Sequence, residues 1–405
     1  MSGQEKTSTQ AGEPIRAPRH FPGFDGNWAR KELRPYLVRH LERVPADTDL
    51  RIYSSSREGL LPQDEYYGGH NRINDGEYGV VPEGHFVYRH MSDDTTFKFN
   101  VNNAGQPIAV SKEYPVFTTD GVDSTFLKYL LNESYPFKQF AAMQRKGGTR
   151  TRLYFEALCS WRAPLPSLPE QERIAECLAS IDALIEAENE KLEALKEHKK
   201  GLMQQFFPAE GETLPARRFP DFQGSDDWKI RPLGELCDIL NNRRQPISKT
   251  NRRDGPYPYY GASGIVDFID EYAFDERLIL LGEDGAKWGA FERTAFIVEG
   301  KYWVNNHAHV LKPIGVDDAF LESYLVFLDL GPIATGAAPP KLTLAKLKEI
   351  PVPVPLHPKE QELIGQSLTS VGDLIDRQFQ RLEELQKHKI GLIQKLFPVL
   401  DEVEG

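Results

Sequence analysis

Two stretches of the chain place apolar residues at alternating spacings of four and three, as coiled-coil helices do. They cover residues 170–208 and 360–398. A seam sustained over about four heptads predicts two long helices, each packed against another helix. At ~1.5 Å per residue, each helix would be roughly 55–60 Å long. The apolar seam positions are Ile174, Leu178, Ile181, Ile185, Leu192, Leu195 and Leu202, and then Ile364, Leu368, Val371, Ile375, Leu382, Leu385 and Leu392.

The two helical stretches are copies of each other. At an offset of 190 residues and without a gap, 18 of 39 positions are identical. The polar seam positions also coincide, Glu188 with Gln378 and Lys199 with Lys389. Because polar seam residues specify register, we expect the copies to pair within the chain. A homodimer would use the same heptads and is the alternative.

Proline bounds both copies. "APLPSLPEQE" and "IPVPVPLHPKEQE" precede the helices, and a Phe-Pro pair closes each one. Proline stops the backward extension of a helix and ends it from the other side. Gly201 and Gly391 lie inside the predicted helices, where glycine costs ~1 kcal/mol relative to alanine. We expect a partner helix or a docking subunit to approach closely at these glycines.

Short strand-like runs dominate the regions between the helices. Residues 29–160 contain "GHFVYRH", "PIAVS" and "YPVFTT", with the helix-like "DSTFLKYLLNE". Residues 229–350 contain "RLILLG", "TAFIVEG", "KYWVNN" and "HAHVLKP", followed by "DAFLESYLVFLD". These runs predict two α/β or α+β domains with mixed sheets. A second repeat leads into them, "HFPGFDGNW" at 20–28 and "RFPDFQGSDDW" at 218–228.

These patterns divide the chain into alternating domains and helices. We predict a flexible tail at 1–18, a first domain at 19–163, a hinge and helix at 164–208, a second domain at 209–350, a hinge and helix at 351–398, and an acidic tail at 399–405. The two domains show no visible similarity to each other. A retained scaffold with divergent domains is typical of a protein with two different recognition tasks. An old duplication whose loops have drifted is the alternative.

Composition is that of a soluble globular protein of the reducing cytoplasm. The three cysteines are widely spaced and match neither a disulfide framework nor a metal site. No apolar run is long enough for a membrane span. The net charge of −11 argues at first against a nucleic-acid partner. The acid excess lies largely in the helices and the acidic tail, however, so either domain could still present a basic face.

Two loops carry the residue types that DNA binding needs. Phosphates attract cations, and base edges accept hydrogen bonds from guanidinium and amide groups. The loops are "QRKGGTRTR" at 144–152 and "NNRRQPISKTNRRDG" at 241–255, and Gly-rich "EDGAKWGAFE" adds one lysine. A merely solvated basic loop is the alternative for each. The candidate DNA-binding residues are Arg145, Lys146, Arg150, Arg152, Arg243, Arg244, Lys249, Arg252, Arg253 and Lys287.

Other chemistry is weakly indicated. Asp284 with Glu299 and Lys301 has the composition of a metal-dependent nuclease core. His307 and His309 alternate along one strand but have no clear third ligand, so we predict no metal site. The chain also lacks a GxxxxGK phosphate loop and an Asn-Pro-Pro-Tyr-type motif of adenine methyltransferases. We therefore expect no catalytic residues.

The layout resembles a specificity subunit of a type I restriction–modification system. The resemblance covers nearly the whole chain: two variable domains, two repeated helices, the "PLPSLPEQERIA" entry, and the endings "GLMQQFFP" and "GLIQKLFP". "YYGASGIVDFIDEYAFDERLILLGEDGA" and "NNHAHVLKP" in the second domain, and "YGVVPEGHFVYRHM" in the first, fit as well. It implies two α/β target-recognition domains, joined by long antiparallel coiled-coil helices in a pseudo-twofold arrangement.

The resemblance also implies partners and a division of labour. Each domain would recognise one half of a bipartite site in double-stranded DNA, and the helix pair would set the gap between the halves. Two modification subunits would bind S-adenosylmethionine and methylate adenine, and restriction subunits would use ATP and Mg²⁺. The chain itself would bind no cofactor. A nuclease using Asp284, Glu299 and Lys301, or a protein adaptor without a DNA role, are the alternatives.

Overall fold

The structure is a computed structural model that describes residues 13–15, 21–26, 28–68, 76–145, 149–336 and 340–397. Contacts divide the chain into two compact units. The first unit combines residues up to Ala187 with residues from Leu382 onward, and the second is Glu188–Arg381. Each long helix therefore contributes one segment to each unit.

The fourteen described strands of the first unit all lie in small antiparallel sheets. The strand orders are β1-β2-β14, β10-β8-β12-β3, β11-β7-β4, β13-β9 and β5-β6. The strands are β1 Glu13–Ile15, β2 Trp28–Glu32, β3 Leu37–His40, β4 Arg43–Pro45, β5 Tyr53–Ser55, β6 Leu60–Pro62, β7 Glu77–Val81, β8 Phe86–Tyr88, β9 Met91–Ser92, β10 Phe99–Val101, β11 Ile108–Ser111, β12 Val116–Thr119, β13 Thr151–Arg152 and β14 Arg162–Leu165. The helices are α1 Gln63–Tyr66, α2 Ser124–Glu133, α3 Tyr135–Met143, α4 Phe155–Cys159 and the long α5 Leu168–Phe206.

The second unit has two four-stranded sheets and a short strand pair. Their orders are β16-β23-β20-β21, β18-β17-β22-β19 and β15-β24. The strands are β15 Lys229–Pro232, β16 Cys237–Ile239, β17 Asp254–Gly261, β18 Gly264–Ile269, β19 Phe274–Asp275, β20 Leu278–Gly282, β21 Ala295–Val298, β22 Lys301–Val304, β23 Ala308–Pro313 and β24 Pro351–Val354. The helices are α6 Leu233–Leu236, α7 Asp318–Phe327, α8 Leu344–Glu349 and the long α9 Pro358–Leu396.

The strand-like runs of the sequence are strands in the structure. "GHFVYRH" contains β8, "PIAVS" contains β11 and "YPVFTT" contains β12; the four runs of the second domain contain β20 to β23. One parallel pair, β17 with β22, makes the β18-β17-β22-β19 sheet of the second unit mixed, as predicted. The named strand pairs of the first unit are all antiparallel, so the mixed sheet predicted for the first domain is wrong. The helix-like pieces are α2 and α7, each opened by an aspartate side chain that accepts a backbone N–H three residues later.

An aromatic cluster anchors the end of α9 in the first unit. The Trp28 ring packs edge-on against Phe126 of α2, with 6.2 Å between centroids. Phe397, which follows α9, packs against the same Phe126 at 5.6 Å. All three rings are buried. The lead-in tryptophan and the Phe-Pro ending therefore meet on the same helix.

The second unit repeats this anchor with its own residues. Trp228 packs against Phe320 of α7 at 5.8 Å. Phe207, which follows α5, contacts Phe320 at 5.6 Å. Although the two domains do not align in sequence, each presents one phenylalanine to a lead-in tryptophan and a helix ending. The need to pack on this phenylalanine explains why the tryptophan of the lead-in and the Phe-Pro ending of the long helix both occur twice in the sequence.

The Glu-Gln pair that opens each helix has matching roles. Gln171 accepts from the backbone N–H of Asp123 and donates to the Pro166 carbonyl, both at 3.0 Å. Gln361 contacts the Asp317 N–H and the Pro355 carbonyl in the same way, both at 2.9 Å. Each glutamine thereby fastens a Pro-rich hinge to the aspartate that caps the N-terminus of a domain helix. Preceding Gln361, the buried Glu360 pairs with Arg218 at 2.7 Å.

The long helices run antiparallel within each unit. In the second unit, Gln378 of α9 contacts Glu188 of α5, while Gly372, nearer the α9 start, lies beside Lys199, nearer the α5 end. In the first unit, Lys389 of α9 pairs with Asp182 of α5 at 2.9 Å. All fourteen predicted seam residues are buried or half-buried.

Gly201 and Gly391 are not sites of close helix approach. A Cβ atom built on either glycine meets nothing within 4 Å in the described part of the chain. The expectation of a closely packed partner helix at these positions is therefore wrong. Contact with another subunit at these two positions stays a prediction.

Candidate nucleic-acid interface

The basic loop of the second domain joins β16 to β17 and contains two short 3-10 turns, Asn241–Arg243 and Lys249–Asn251. Its arginines differ in what they contact. The Arg243 guanidinium donates to Glu276 at 2.7 Å and to the Ala273 carbonyl at 2.9 Å. It also lies 4.3 Å from the centroid of the Phe274 ring. These contacts hold Arg243 against the domain rather than extended into solvent.

Arg244 belongs to a buried polar network. It donates to Glu283 at 2.5 Å and to the Ala308 carbonyl at 2.7 Å, and its side chain is 13% exposed. Lys341 contacts the other oxygen of Glu283 at 2.7 Å. Burial alone would raise the pKa of the Glu283 carboxyl, but Lys341 and Arg244 outweigh it and the pKa is lowered. This network fastens the basic loop to β20 and to the segment around Lys341.

His309 completes the network from β23. Its Nε2 lies 2.7 Å from the Leu342 carbonyl and its Nδ1 lies 2.9 Å from the side-chain nitrogen of Asn241. A neutral ring with the proton on Nε2 satisfies both contacts, because Asn241 then donates to Nδ1. The side chain is fully buried, and burial lowers the pKa of His309.

The remaining loop residues divide into a tethered arginine and two free cations. Arg252 donates to Asp267 at 3.1 Å and lies over the Tyr259 ring, 4.4 Å from its centroid. Lys249 and Arg253 are exposed, and within the described residues neither side chain forms an ion pair. Lys287 is also exposed, 3.6 Å from a glutamate across its turn. Lys249 and Arg253 are therefore the loop cations available for phosphates.

In the first domain, the predicted basic segment follows α3. Arg145 and Arg152 are exposed, and Lys146 lies outside the described residues. Arg150 donates from Nε to Asp93 at 2.9 Å, with its side chain 51% exposed. The pairing of β13 with β9 places Arg152 opposite Met91. The segment is thus attached to a turn that lies about sixty residues earlier in the sequence.

That turn borders a cleft of about 370 Å³. Arg57 closes one side and forms two hydrogen bonds with Asp94, at 2.9 and 2.5 Å. Arg89 and Lys98 also line the cleft. Nothing in the sequence marks these three cations, because they are scattered along the chain and form no local basic run. The structure brings them together beside Arg150.

Asp284 and Glu299, the two carboxylates proposed for a nuclease site, lie far from each other. Glu299 follows β21 and pairs with Arg277, which precedes β20, at 3.0 Å. Asp284 follows the opposite end of β20 and contacts His307. A strand spans ~3.3 Å per residue, so roughly 20 Å separates Arg277 from Asp284. Asp284 and Glu299 therefore cannot share a metal ion, and Lys301 instead lies over the Tyr272 ring.

Metal and membrane sites are not indicated either. His307 is half exposed while His309 is buried, so the two histidines do not face one site. Within the described ranges, no group of three or more His, Cys, Asp or Glu side chains is arranged to hold a metal ion. The same part of the chain contains no helix long and apolar enough to cross a membrane.

Comparison with known proteins indicates that the chain recognises DNA through two domains. Residues 94–197 and 225–387 match the family model described as the type I restriction modification DNA specificity domain. A Haemophilus influenzae protein named as a type I restriction enzyme specificity subunit is 36% identical over 144 residues. That match covers 35% of this chain and 37% of the relative.

Two further comparisons extend over more of the chain. The type I restriction enzyme MjaVIII specificity subunit of Methanocaldococcus jannaschii is 24% identical over 307 residues, 68% of this chain and 69% of that protein. The crystal structure of a type I restriction–modification S subunit from M. genitalium superimposes with a TM-score of 0.64. It covers 95% of this chain and 100% of that chain at 15% identity.

One matched region lies on each of the two domains. The chain is therefore a protein with two target-recognition domains. Together the two regions include more than half of the residues. The chain belongs to the family of type I restriction–modification DNA specificity proteins.

Proposed function

We propose that the chain is the subunit that gives a type I restriction–modification complex its DNA sequence specificity. Each domain recognises one half of a bipartite site in double-stranded DNA. The observation that carries this proposal is the repeated anchor: Phe126 and Phe320 hold equivalent helix endings while the surrounding domains differ in sequence. Conserved attachment with divergent domains is what recognition of two unlike half-sites requires.

The long helices set the gap between the half-sites and dock the partner subunits. Two modification subunits supply S-adenosylmethionine and the adenine methyltransferase activity, and restriction subunits supply ATP- and Mg²⁺-dependent cleavage. The chain itself binds none of these cofactors and is not catalytic. We place the complex in the cytoplasm, where its DNA is.

Footprinting the assembled complex on target DNA tests this function. We expect two protected segments separated by an unprotected gap. Deleting seven residues from each long helix removes two turns and keeps the seam in phase. The shortened chain should prefer a smaller gap with unchanged half-sites. A single continuous footprint from the wild-type complex, or changed half-sites after the deletion, would contradict the proposal.

A further inference from the structure

The guanidinium of Arg150 is held at one nitrogen only. Its Nε donates to Asp93 Oδ1 at 2.9 Å. No hydrogen bond from within the described residues engages Nη1 or Nη2, and half of the side chain is exposed. Because the guanidinium is planar, a bond at Nε fixes the direction in which the other two nitrogens point. The outward edge of Arg150 is thus a preoriented pair of donors.

Among the described residues, the other anchored arginines of the candidate interfaces lack such a free edge. Arg243 uses both Nη1 and Nη2 for contacts within its domain. Arg244 and Arg252 each use Nε together with Nη1. Arg57 donates hydrogen bonds from both terminal nitrogens to Asp94. Arg150 differs from these four because its anchor leaves both terminal nitrogens open.

Both members of the Arg150–Asp93 pair are placed by regular structure. Asp93 directly follows β9, and Arg150 directly precedes β13, the strand paired with β9. Asp93 also lines the cleft with Arg89 and Lys98. Arg89 and Lys98 thus share a cleft with the anchor of Arg150, and a DNA contact needs cations because phosphates accompany every base pair.

We propose that Arg150 recognises a guanine in the half-site of the first domain. Nη1 and Nη2 donate to O6 and N7 of the guanine in the major groove, which is the pairing that a planar fork of donors fits. Asp93 is a positioning residue that orients the guanidinium. Arg89 and Lys98 contact the adjacent phosphates. This inference rests on the proposed function.

The test uses the chain assembled with its modification subunits and a panel of target duplexes, each with one base pair substituted. The wild-type complex should lose affinity about 10- to 100-fold when one particular G·C pair of the first half-site is changed. Arg150→Ala should remove the preference at that pair and keep all preferences in the second half-site. Arg150→Lys restores the charge but not the fork, and should also lack the preference.

Two further variants separate recognition from general folding and charge. Asp93→Asn should weaken the preference, since the guanidinium loses its charged anchor. Arg43→Ala removes an arginine of the same domain that is equally exposed, 51%, and pairs with a glutamate at 3.2 Å; it should leave the preference intact.

The outcomes distinguish this inference from the function on which it rests. If the wild-type complex binds a bipartite site but Arg150→Ala keeps every base preference, the inference fails while the proposed function stands. A loss of affinity that is equal for all sequences also overturns it, because a phosphate contact behaves that way. If the wild-type complex binds no bipartite site, the proposed function fails.

Discussion

The side-chain amide of Gln378 donates to both the backbone carbonyl and the carboxylate of Glu188, at 2.8 and 2.7 Å. These residues occupy the same position in the two helical repeats, 190 residues apart. Gln378, and after it Arg381, lower the pKa of the Glu188 carboxyl. The repeat thus pairs with itself through its polar seam position, as the heptads predicted.

Replacing both polar seam residues with leucine should make the protein more stable but the register of helix pairing less specific. In Glu188→Leu/Gln378→Leu, the seam becomes continuous and apolar, and the melting temperature should rise by about 2–4 °C. The same change removes the contact that specifies register, so oligomers should appear. Light scattering after size exclusion and a thermal melt measure both effects. A single monomeric species with an unchanged melting temperature would show that the pair does not specify register.

The repeated seam lysines should differ in importance. Lys389 contacts Glu133 and Asp182, each at 2.9 Å. Burial opposes its charge, but the two carboxylates outweigh burial and raise the pKa of Lys389. Position 372, the counterpart of Asp182, is a glycine, and within the described residues Lys199 forms no ion pair. Its charge instead opposes the rise that burial causes in the pKa of Glu322. Lys389→Met should therefore destabilise the protein by about 1–3 kcal/mol.

Lys199→Met is the matched comparison, with a smaller expected loss, because Lys199 lies in a cleft with Glu322 but forms no ion pair within the described residues. Urea unfolding compares the two variants. Equal losses from both would mean that the carboxylates around Lys389 contribute nothing specific.

Substitutions of the cations in the second-domain loop should have different effects, according to whether the side chain is buried in contacts or exposed. Arg244→Ala leaves Glu283 buried with one partner fewer, so it should destabilise the domain by about 3–5 kcal/mol. Lys249→Ala and Arg253→Ala should leave folding intact. Each should weaken DNA binding for all sequences and reduce the salt slope by about one. Lys229→Ala, an exposed lysine of the same unit, serves as the control for nonspecific charge.

Binding titrations over a range of salt concentrations, with a melt of each variant, measure these effects. Unchanged salt slopes in both Lys249→Ala and Arg253→Ala would remove this loop from the DNA interface.

Acid should weaken the second domain through His309. Its pKa is lowered in the folded state by burial, so the unfolded chain binds the proton more readily. The stabilising contribution is complete above the ordinary histidine pKa of ~6.5 and is lost as the pH falls through the folded value. Glu283, whose pKa is also lowered, adds its own loss only below about 4.5. Thermal melts between pH 7.5 and 5 should show a decline that His309→Gln flattens. An equally steep decline in His309→Gln would assign the acid sensitivity elsewhere.

The periodic features of the fold could be predicted from the sequence, because they depend on local spacing. The heptads predicted α5 and α9, and short apolar runs predicted β20 to β23. By contrast, α3 was missed, since "YPFKQFAAM" contains a proline, which the structure accommodates in the first turn.

The candidate interface was less predictable because it depends on contacts between distant residues. A run of arginines marked the loop at 241–255, but nothing in the run shows that Arg244 is buried against Glu283. Likewise, Arg150 and Asp93 are 57 residues apart, and only the pairing of β9 with β13 brings them together. Composition therefore located the basic segments, and tertiary contacts decide which of their side chains are free for DNA.

Two-part recognition can be read directly from a map of methylated adenines across the genome of cells that carry this chain with its modification subunits. Every methylated adenine should lie in a sequence of two short specific parts separated by a gap of constant length. Methylation at a single contiguous motif, or with no common sequence, would contradict two-part recognition.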